Sequence, residues 1–520
     1  MKRSYLIIIL IILSLFILNG CSDNKSDSVN ESSCSKEEIL RKNRLARDDW
    51  NEEVKNAVND LLDLYGSQGE TSESQFYAVF DFDNTCSIFD MEEQTVVYQL
   101  QTMAFEISPD EMKEILLTGI PDVLDDLSAY GLFEGSFDDI AGDISSAYKV
   151  LWEKYGPFTN NGVDNEIRNL LKEDDYWKEF AVKILVMYDS IGEVCSHDVA
   201  YPWMTYLFKG MSEDELYGLA TRAIREYGSV ETSDVNWRTS DEIQSKTGNA
   251  SYTWTSGVTV TENIKELWKV FDENGIDVWV CSASETGVIR AAIDYYGLHD
   301  NCRGLLAMTD KTDENGKLIN EYDYDTGCGY YATDNGWEHM DRPTKSQTQG
   351  KGKVTAVVNA ISPEYGGHGP IAGFMDSTGD FCFCTEFETL KLVVCFNRAS
   401  RSVKEGGGLI AEIAVYQKDT LGFDLKKANE AGDTFYVLQG RDENGLRSFR
   451  NSRYTLIYGQ TQEKLFKNEE NFAQLEYFRK HRMSTEEIIN NWAIKKSGEK
   501  SGLGFDTGFI SEYDGYHSHQ

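Results

Sequence analysis

Positive charge is what this chain of 520 residues most conspicuously lacks: 50 Lys and Arg stand against 87 Asp and Glu, a formal net charge of −37. Nucleic acid and anionic membrane surfaces both require a basic face, so neither is expected as a partner. Low-complexity tracts and internal repeats are also missing. With 41% hydrophobic residues, the chain has enough apolar material for two or three domain cores. Cysteine is sparse: ten in this length cannot form a disulfide scaffold. Cys382-Phe-Cys384 lacks the paired CxxC spacing of a zinc site. Cys281 and Cys395 lie in apolar, strand-like runs and are expected as buried thiols, whereas Cys302 and Cys328, flanked by polar loops, could pair. Apolar runs of spanning length are absent too. The longest is residues 5–18, short of the roughly 20 residues that cross a bilayer.

That run sits behind Lys2 and Arg3 and ends in Leu18-Asn19-Gly20-Cys21, so residues 1–21 read as a targeting segment. The ending resembles a bacterial lipobox, which implies lipidation at Cys21 and a body held outside the cytoplasm by its anchor. Residues 22–36, rich in Ser, Asn, Asp and Lys, read as a flexible tether.

Beyond the tether, residues 37–65 have helical periodicity, and Phe76 to Phe80 form an apolar run of strand formers ending at Asp81. From 91 to 265 the signals are almost all helical, including Ser108 with Glu111 and Ser212 with Glu215 as capping boxes. From about 266, short apolar strands near 276–281, 304–308, 370–375, 391–396 and 434–438 alternate with helical stretches. Asp313-Glu314-Asn315-Gly316 and Asp442-Glu443-Asn444-Gly445 are hairpin signals. The expected fold is α/β: a doubly wound parallel sheet built from residues 37–90 and 266–460, interrupted by a large helical cap at 91–265. Residues 461–520 are left as a C-terminal extension. Within them Tyr513, His517 and His519 read as surface.

Asp81-Phe82-Asp83-Asn84-Thr85 places two carboxylates on one turn at the C-terminal edge of a strand, where sheets of this kind bind ligands. Two acids so close repel unless a cation lies between them, which favours a hard metal with oxygen ligands. Three further segments follow in order: Val278-Trp279-Val280-Cys281-Ser282, Gly350-Lys351-Gly352-Lys353, and Phe374-Met375-Asp376-Ser377-Thr378-Gly379-Asp380.

This series resembles the four motifs of the haloacid dehalogenase (HAD) superfamily, including its capped phosphoserine-phosphatase-like members. The resemblance implies a Rossmann-like core with Asp81 as phosphoryl-accepting nucleophile and Asp83 as general acid/base, oriented by Thr85. It further implies Mg2+ held by Asp81, the main-chain carbonyl of Asp83 and Asp376, with Asp380 as a further or water-mediated ligand. Ser282 and a lysine would hold the phosphoryl oxygens. Lys353, at the start of a helical run, is preferred for that role, with Lys351 as the alternative. The motif departs from the usual Gly-Asp at Met375-Asp376. The acid at Asp83 separates this chain from the dehalogenases, and the missing Asp-Lys-Thr-Gly-Thr separates it from the transport ATPases. A magnesium-dependent phosphatase for small extracytoplasmic phosphoesters is therefore expected; a phosphotransferase of the same fold and a non-enzymatic solute-binding lipoprotein are the alternatives. The segment from Asp81 to Leu100 also resembles secreted bacterial phosphorylcholine phosphatases, in which an acid at the position of Glu93 helps hold trimethylammonium. Glu92 and Glu93 are thus expected to bind substrate, phosphocholine being one candidate, with Tyr201, Trp203, Trp237 and Trp254 as aromatic supply. As first-turn acids on a helix, both glutamates also have a purely structural explanation.

Overall fold

The computed structural model describes residues 43–66, 75–121, 127–128, 133–323, 329–399, 406–467 and 469–496. Cys21, the leader, the tether, Cys328, Tyr513, His517 and His519 lie outside the described residues.

Eight strands form the central sheet: β1 Phe76–Phe80, β2 Ile276–Glu285, β3 Gly304–Met308, β4 Gly329–Thr333, β5 Gly336–His339, β6 Ala372–Met375, β7 Leu392–Phe396 and β8 Phe435–Gln439. Their spatial order is β5-β4-β3-β2-β1-β6-β7-β8. The six strands from β3 to β8 in that row are parallel; at one edge β4 pairs antiparallel with β3, and β5 antiparallel with β4. This is the doubly wound α/β sheet anticipated from the alternation of strands and helices. Alternate residues of β1 feed opposite layers, as the pleat requires. Ala78 and Phe80 join one core, in which Phe80 stacks on Phe374 with ring centroids 3.9 Å apart and packs on Trp268. Tyr77 and Val79 join the other, with Trp279 and Cys395. Strands covered on both faces have no polar side, which explains their uninterrupted apolar sequences.

The chain winds from β1 to β2 and β3 on one side, then returns to place β6, β7 and β8 on the other. The direction of winding therefore reverses between β1 and β6, and the carboxyl ends of these two strands open onto one crevice. Asp81 follows β1 directly and Asp376 follows β6.

The insertion after β1 enters and leaves through a two-residue antiparallel pair, Ser87–Ile88 against Thr259–Val260. It is largely helical, with long members Phe137–Tyr155 and Asp175–Val194 packed on each other. The capping box of Ser212 with Glu215 opens the helix Glu213–Tyr227, whereas Ser108 and Glu111 make only a turn before Met112–Leu117. One departure from the all-helical expectation is the hairpin Ser233–Arg238/Ser251–Ser256. Its strands, SDVNWR and SYTWTS, alternate aromatic or β-branched residues with polar ones, a period of two that the helical signals around it obscure. The helix Glu262–Glu273 supplies Trp268 and Phe271 to the layer beneath Phe80, so it serves the sheet rather than the cap. At the C-terminal end, Leu475, Phe478 and Ile488 of the helices Glu469–His481 and Thr485–Lys496 join the second core. Cys281 and Cys395 are buried, as expected, and Cys302 is buried as well. Among the described residues no helix is long and apolar enough to cross a membrane.

Candidate active site

The turn after β1 is wound tightly around one carbonyl: Phe82 O accepts from the amides of Thr85, Cys86 and Ser87 at 3.2, 2.8 and 3.0 Å. Asn84 makes this possible by adopting a left-handed backbone with φ of 63°. The turn brings Thr85 back beneath Asp81, and Thr85 Oγ1 donates to Asp81 Oδ2 at 2.8 Å. Thr85 thus orients the first acid of the motif, not Asp83 as expected. Both oxygens of Asp83 are held elsewhere, Oδ1 by the amide of Met91 and Oδ2 by Ser284 Oγ, each at 2.6 Å.

Of the two lysines, Lys353 is the one that contacts the acids of the first and fourth motifs. Its ammonium is buried and donates to Asp81 Oδ1 at 2.7 Å and to Asp380 Oδ1 at 2.6 Å, whereas Lys351 pairs with Glu386 away from the acids. Asp380 Oδ2 accepts from the amides of Asp376 and Ser377, which fixes the loop after β6. Asp376 Oδ2 accepts from Arg398 at 3.0 Å. Carboxylate oxygens of Asp81, Asp376 and Asp380 lie within 4.8 Å of one another, and all three residues are buried. The side chain of Asp83 is outside that group. Burial, followed by the charge of Asp380, pushes the Asp81 carboxyl up to about 8, against the opposing pull of Lys353. Seven acids here, Asp81, Asp83, Asp90, Glu92, Glu93, Asp376 and Asp380, face two cations, Lys353 and Arg398. A buried surplus of carboxylates is costly without a counter-ion, and the all-oxygen donor set fits a hard divalent cation such as Mg2+.

The acids form one wall of a cavity of about 390 Å³ that extends under the cap. Ser282, at the end of the apolar part of β2, lines it; its Oγ accepts from the Ser284 amide at 3.2 Å. Toward the cap the walls are Glu93, Tyr188, Tyr201, Tyr252 and Trp254. Glu93 is open to the cavity yet deep within the protein envelope. Burial and then Asp90 push its carboxyl up to about 8, with Arg398 opposing. Glu92 also reaches the wall, but its Oε1 accepts from the Glu285 amide and its side chain is buried. Of the four aromatics anticipated, Tyr201 and Trp254 line the cavity. Trp203 is buried with its Nε1 donating to Leu116 O, and Trp237 packs between Trp177 and Trp254. Sequence reasoning missed Ser284, Asp90, Arg398, Tyr188 and Tyr252. Ser284 stands two residues beyond Ser282 and Asp90 lies within the segment 81–100, so both were within reach of those patterns; Arg398, Tyr188 and Tyr252 come from segments with no motif of their own.

Neither protein-family models nor curated proteins match this chain. Among solved structures, a conserved protein of unknown function from Anaerococcus prevotii is 24% identical, with a TM-score of 0.60 over 81% of this chain and 99% of that one. That likeness extends the α/β fold to a second protein and assigns no activity. Cytosolic 5'-nucleotidase IIIB, solved with cytidine, aligns at 13% identity over 73% of this chain and 88% of its own, with a TM-score of 0.27. A match that loose carries no argument.

Proposed function

We propose that this chain is a phosphomonoester hydrolase of the HAD type, acting on small phosphoesters through an aspartyl-phosphate at Asp81. The observation that carries the reading is the contact of Lys353 with both Asp81 and Asp380, beside Asp376, at the crevice where the sheet reverses its winding. Four sequence-distant motifs converge there in the arrangement that phosphoryl transfer needs.

Asp81 attacks phosphorus as the bond to the leaving oxygen breaks, which divides one hard displacement into two easier ones. Asp83 gives its proton to that oxygen and then takes one from the water that hydrolyses the acyl phosphate. Each of its oxygens accepts one hydrogen bond, from the Met91 amide and from Ser284 Oγ, and keeps a second lone pair for the proton. Ser282 Oγ and Lys353 Nζ bind phosphoryl oxygens and offset charge as it develops. Asp81, Asp376 and the main-chain carbonyl of Asp83, with Asp380 alongside, would hold Mg2+, which supplies further charge neutralisation at the phosphoryl group when bound. The cap keeps bulk water away and limits the substrate to what about 390 Å³ admits.

For the leaving group we favour an alcohol bearing a quaternary ammonium, such as choline. Glu93 offers a carboxylate at the cap end of the cavity, and Tyr188, Tyr252 and Trp254 offer aromatic faces around it. We place this chemistry outside the cytoplasm, on the lipobox-like ending at Cys21. Turnover of phosphocholine, phosphoserine and glycerol phosphate, with and without chelator, tests the reading, with Asp81→Asn as control. No metal-dependent release of phosphate from any of them removes the hydrolase; equal turnover of all three removes only the choline preference.

A further inference from the structure

Arg441 is among the largest fully buried side chains, 1% exposed, and it lies more than 350 residues from the nucleophile in sequence. It starts a short hairpin, Arg441–Asp442 paired with Ser448–Phe449, immediately after β8. Its Nε and Nη2 donate to Glu443 Oε1 at 2.9 and 2.7 Å. The rest of the fork turns to the nucleophile loop: Nη1 donates to Asn84 O at 3.1 Å and Nη2 to Asn84 Oδ1 at 3.3 Å. A buried ion pair is weak as a source of stability, because desolvation consumes most of its attraction. A planar guanidinium, by contrast, fixes two acceptors in one geometry, which an ammonium cannot do. The two it fixes belong to the residue between Asp83 and Thr85, the one whose left-handed backbone shapes the turn.

The far end of the same hairpin is tied to the cap. Arg447 donates to Thr232 Oγ1, Val230 O and Val258 O at 3.1, 2.9 and 3.4 Å, and Gly445 O accepts from the Thr232 amide at 2.8 Å. Val258 immediately precedes the strand by which the chain leaves the cap.

We propose that Arg441 is a positioning residue: through Asn84 it sets the turn that carries Asp81, Asp83 and Thr85, and its hairpin links that turn to the root of the cap. Insofar as it concerns turnover, this rests on the hydrolase reading above. Arg441 touches neither substrate nor reacting atoms. Its effect is on the alignment of groups that do, where small displacements are costly.

The test compares wild type, Arg441→Lys, Asn84→Gly, and Arg441→Met combined with Glu443→Gln, which removes both charges of the pair together. With p-nitrophenyl phosphate and Mg2+, Arg441→Lys and the neutral pair should each lose about 10- to 100-fold in kcat while KM stays within about twofold. Hydrogen exchange should accelerate at residues 82–88 and not in β1 or β6. If the neutral pair does not fold, Arg441→Lys added to Asn84→Gly decides the matter: Asn84→Gly removes the Oδ1 acceptor that Arg441 Nη2 holds, so the double variant should fall short of the summed losses. Arg441→Lys with wild-type kcat and wild-type protection of the loop, or fully additive losses, overturns the proposal. If wild type itself turns nothing over, the hydrolase reading fails and loop protection alone judges the clamp.

Discussion

Thr85 Oγ1 lies 2.8 Å from Asp81 Oδ2, so the first acid of the turn is held by a hydroxyl only four residues along its own loop. Lys353 takes the other oxygen from across the sheet. The carboxylate is thus fixed at both oxygens, by one local and one distant donor. Thr85→Val, which keeps the shape and removes the donor, should lower kcat about tenfold and leave KM nearly unchanged. Asp81→Asn should remove turnover to background. Steady-state kinetics on both variants checks this.

Asp83 is held by Ser284 and by the first amide of the helix Met91–Thr102. Ser284→Ala should therefore disturb proton delivery more than phosphoryl binding. A substrate with a poor leaving group needs the acid, and p-nitrophenol does not. The variant should lose about three- to tenfold in kcat on an alkyl phosphate and much less on p-nitrophenyl phosphate. Equal losses on both would show that Ser284 acts on the phosphoryl site instead.

Magnesium should stabilise the fold as well as support turnover, because its ligands come from strands that the unfolded chain separates. At a hundredfold excess over Kd, binding contributes about 2.7 kcal/mol, readable as a rise in Tm. Asp376→Asn should abolish that rise. A wild-type Tm insensitive to Mg2+ would remove the three-acid group as a metal site.

Glu412 is a buried acid away from the site. Its Oε1 accepts from Asn471 Nδ2 at 2.7 Å, and Oε2 has no partner among the described residues. Burial pushes its carboxyl up to about 8, from an ordinary value near 4.5. Between those values the folded chain binds more protons than the unfolded one, so stability falls as pH rises through the window. Below it the cost is absent, and above it the cost is complete. Glu412→Gln should match wild type near pH 4.5 and exceed it by a few kcal/mol at pH 8, measured by urea denaturation at each pH.

Gly257 has φ of 108°, and a Cβ there would stand 2.2 Å from Arg447 Nη1. Gly257→Ala should cost about 1–3 kcal/mol through backbone strain and displacement of that arginine. Circular dichroism melts would show it.

The sheet was legible because strands covered on both faces are continuously apolar, as in FYAVF and LVVCF. The acids, Ser282 and Lys353 were legible because each follows or precedes such a run. The hairpin at 233–256 was not, because its period of two is brief and lies within a long helical insertion. Nor was the grip of Thr85 on Asp81, since a hydroxyl four residues along a turn can reach either acid, and only the tertiary path decides. Arg398, Tyr188 and Tyr252 reach the cavity from segments distant in sequence, a convergence that no local pattern records.

The paired strands Ser87–Ile88 and Thr259–Val260 bring the two ends of the insertion together as neighbours. A segment whose ends already meet can be lengthened, shortened or exchanged at little cost in chain entropy, and the sheet below need not move. Changes in the insertion can therefore reshape the cap end of the cavity while Asp81, Asp376 and Asp380 keep their places on the sheet.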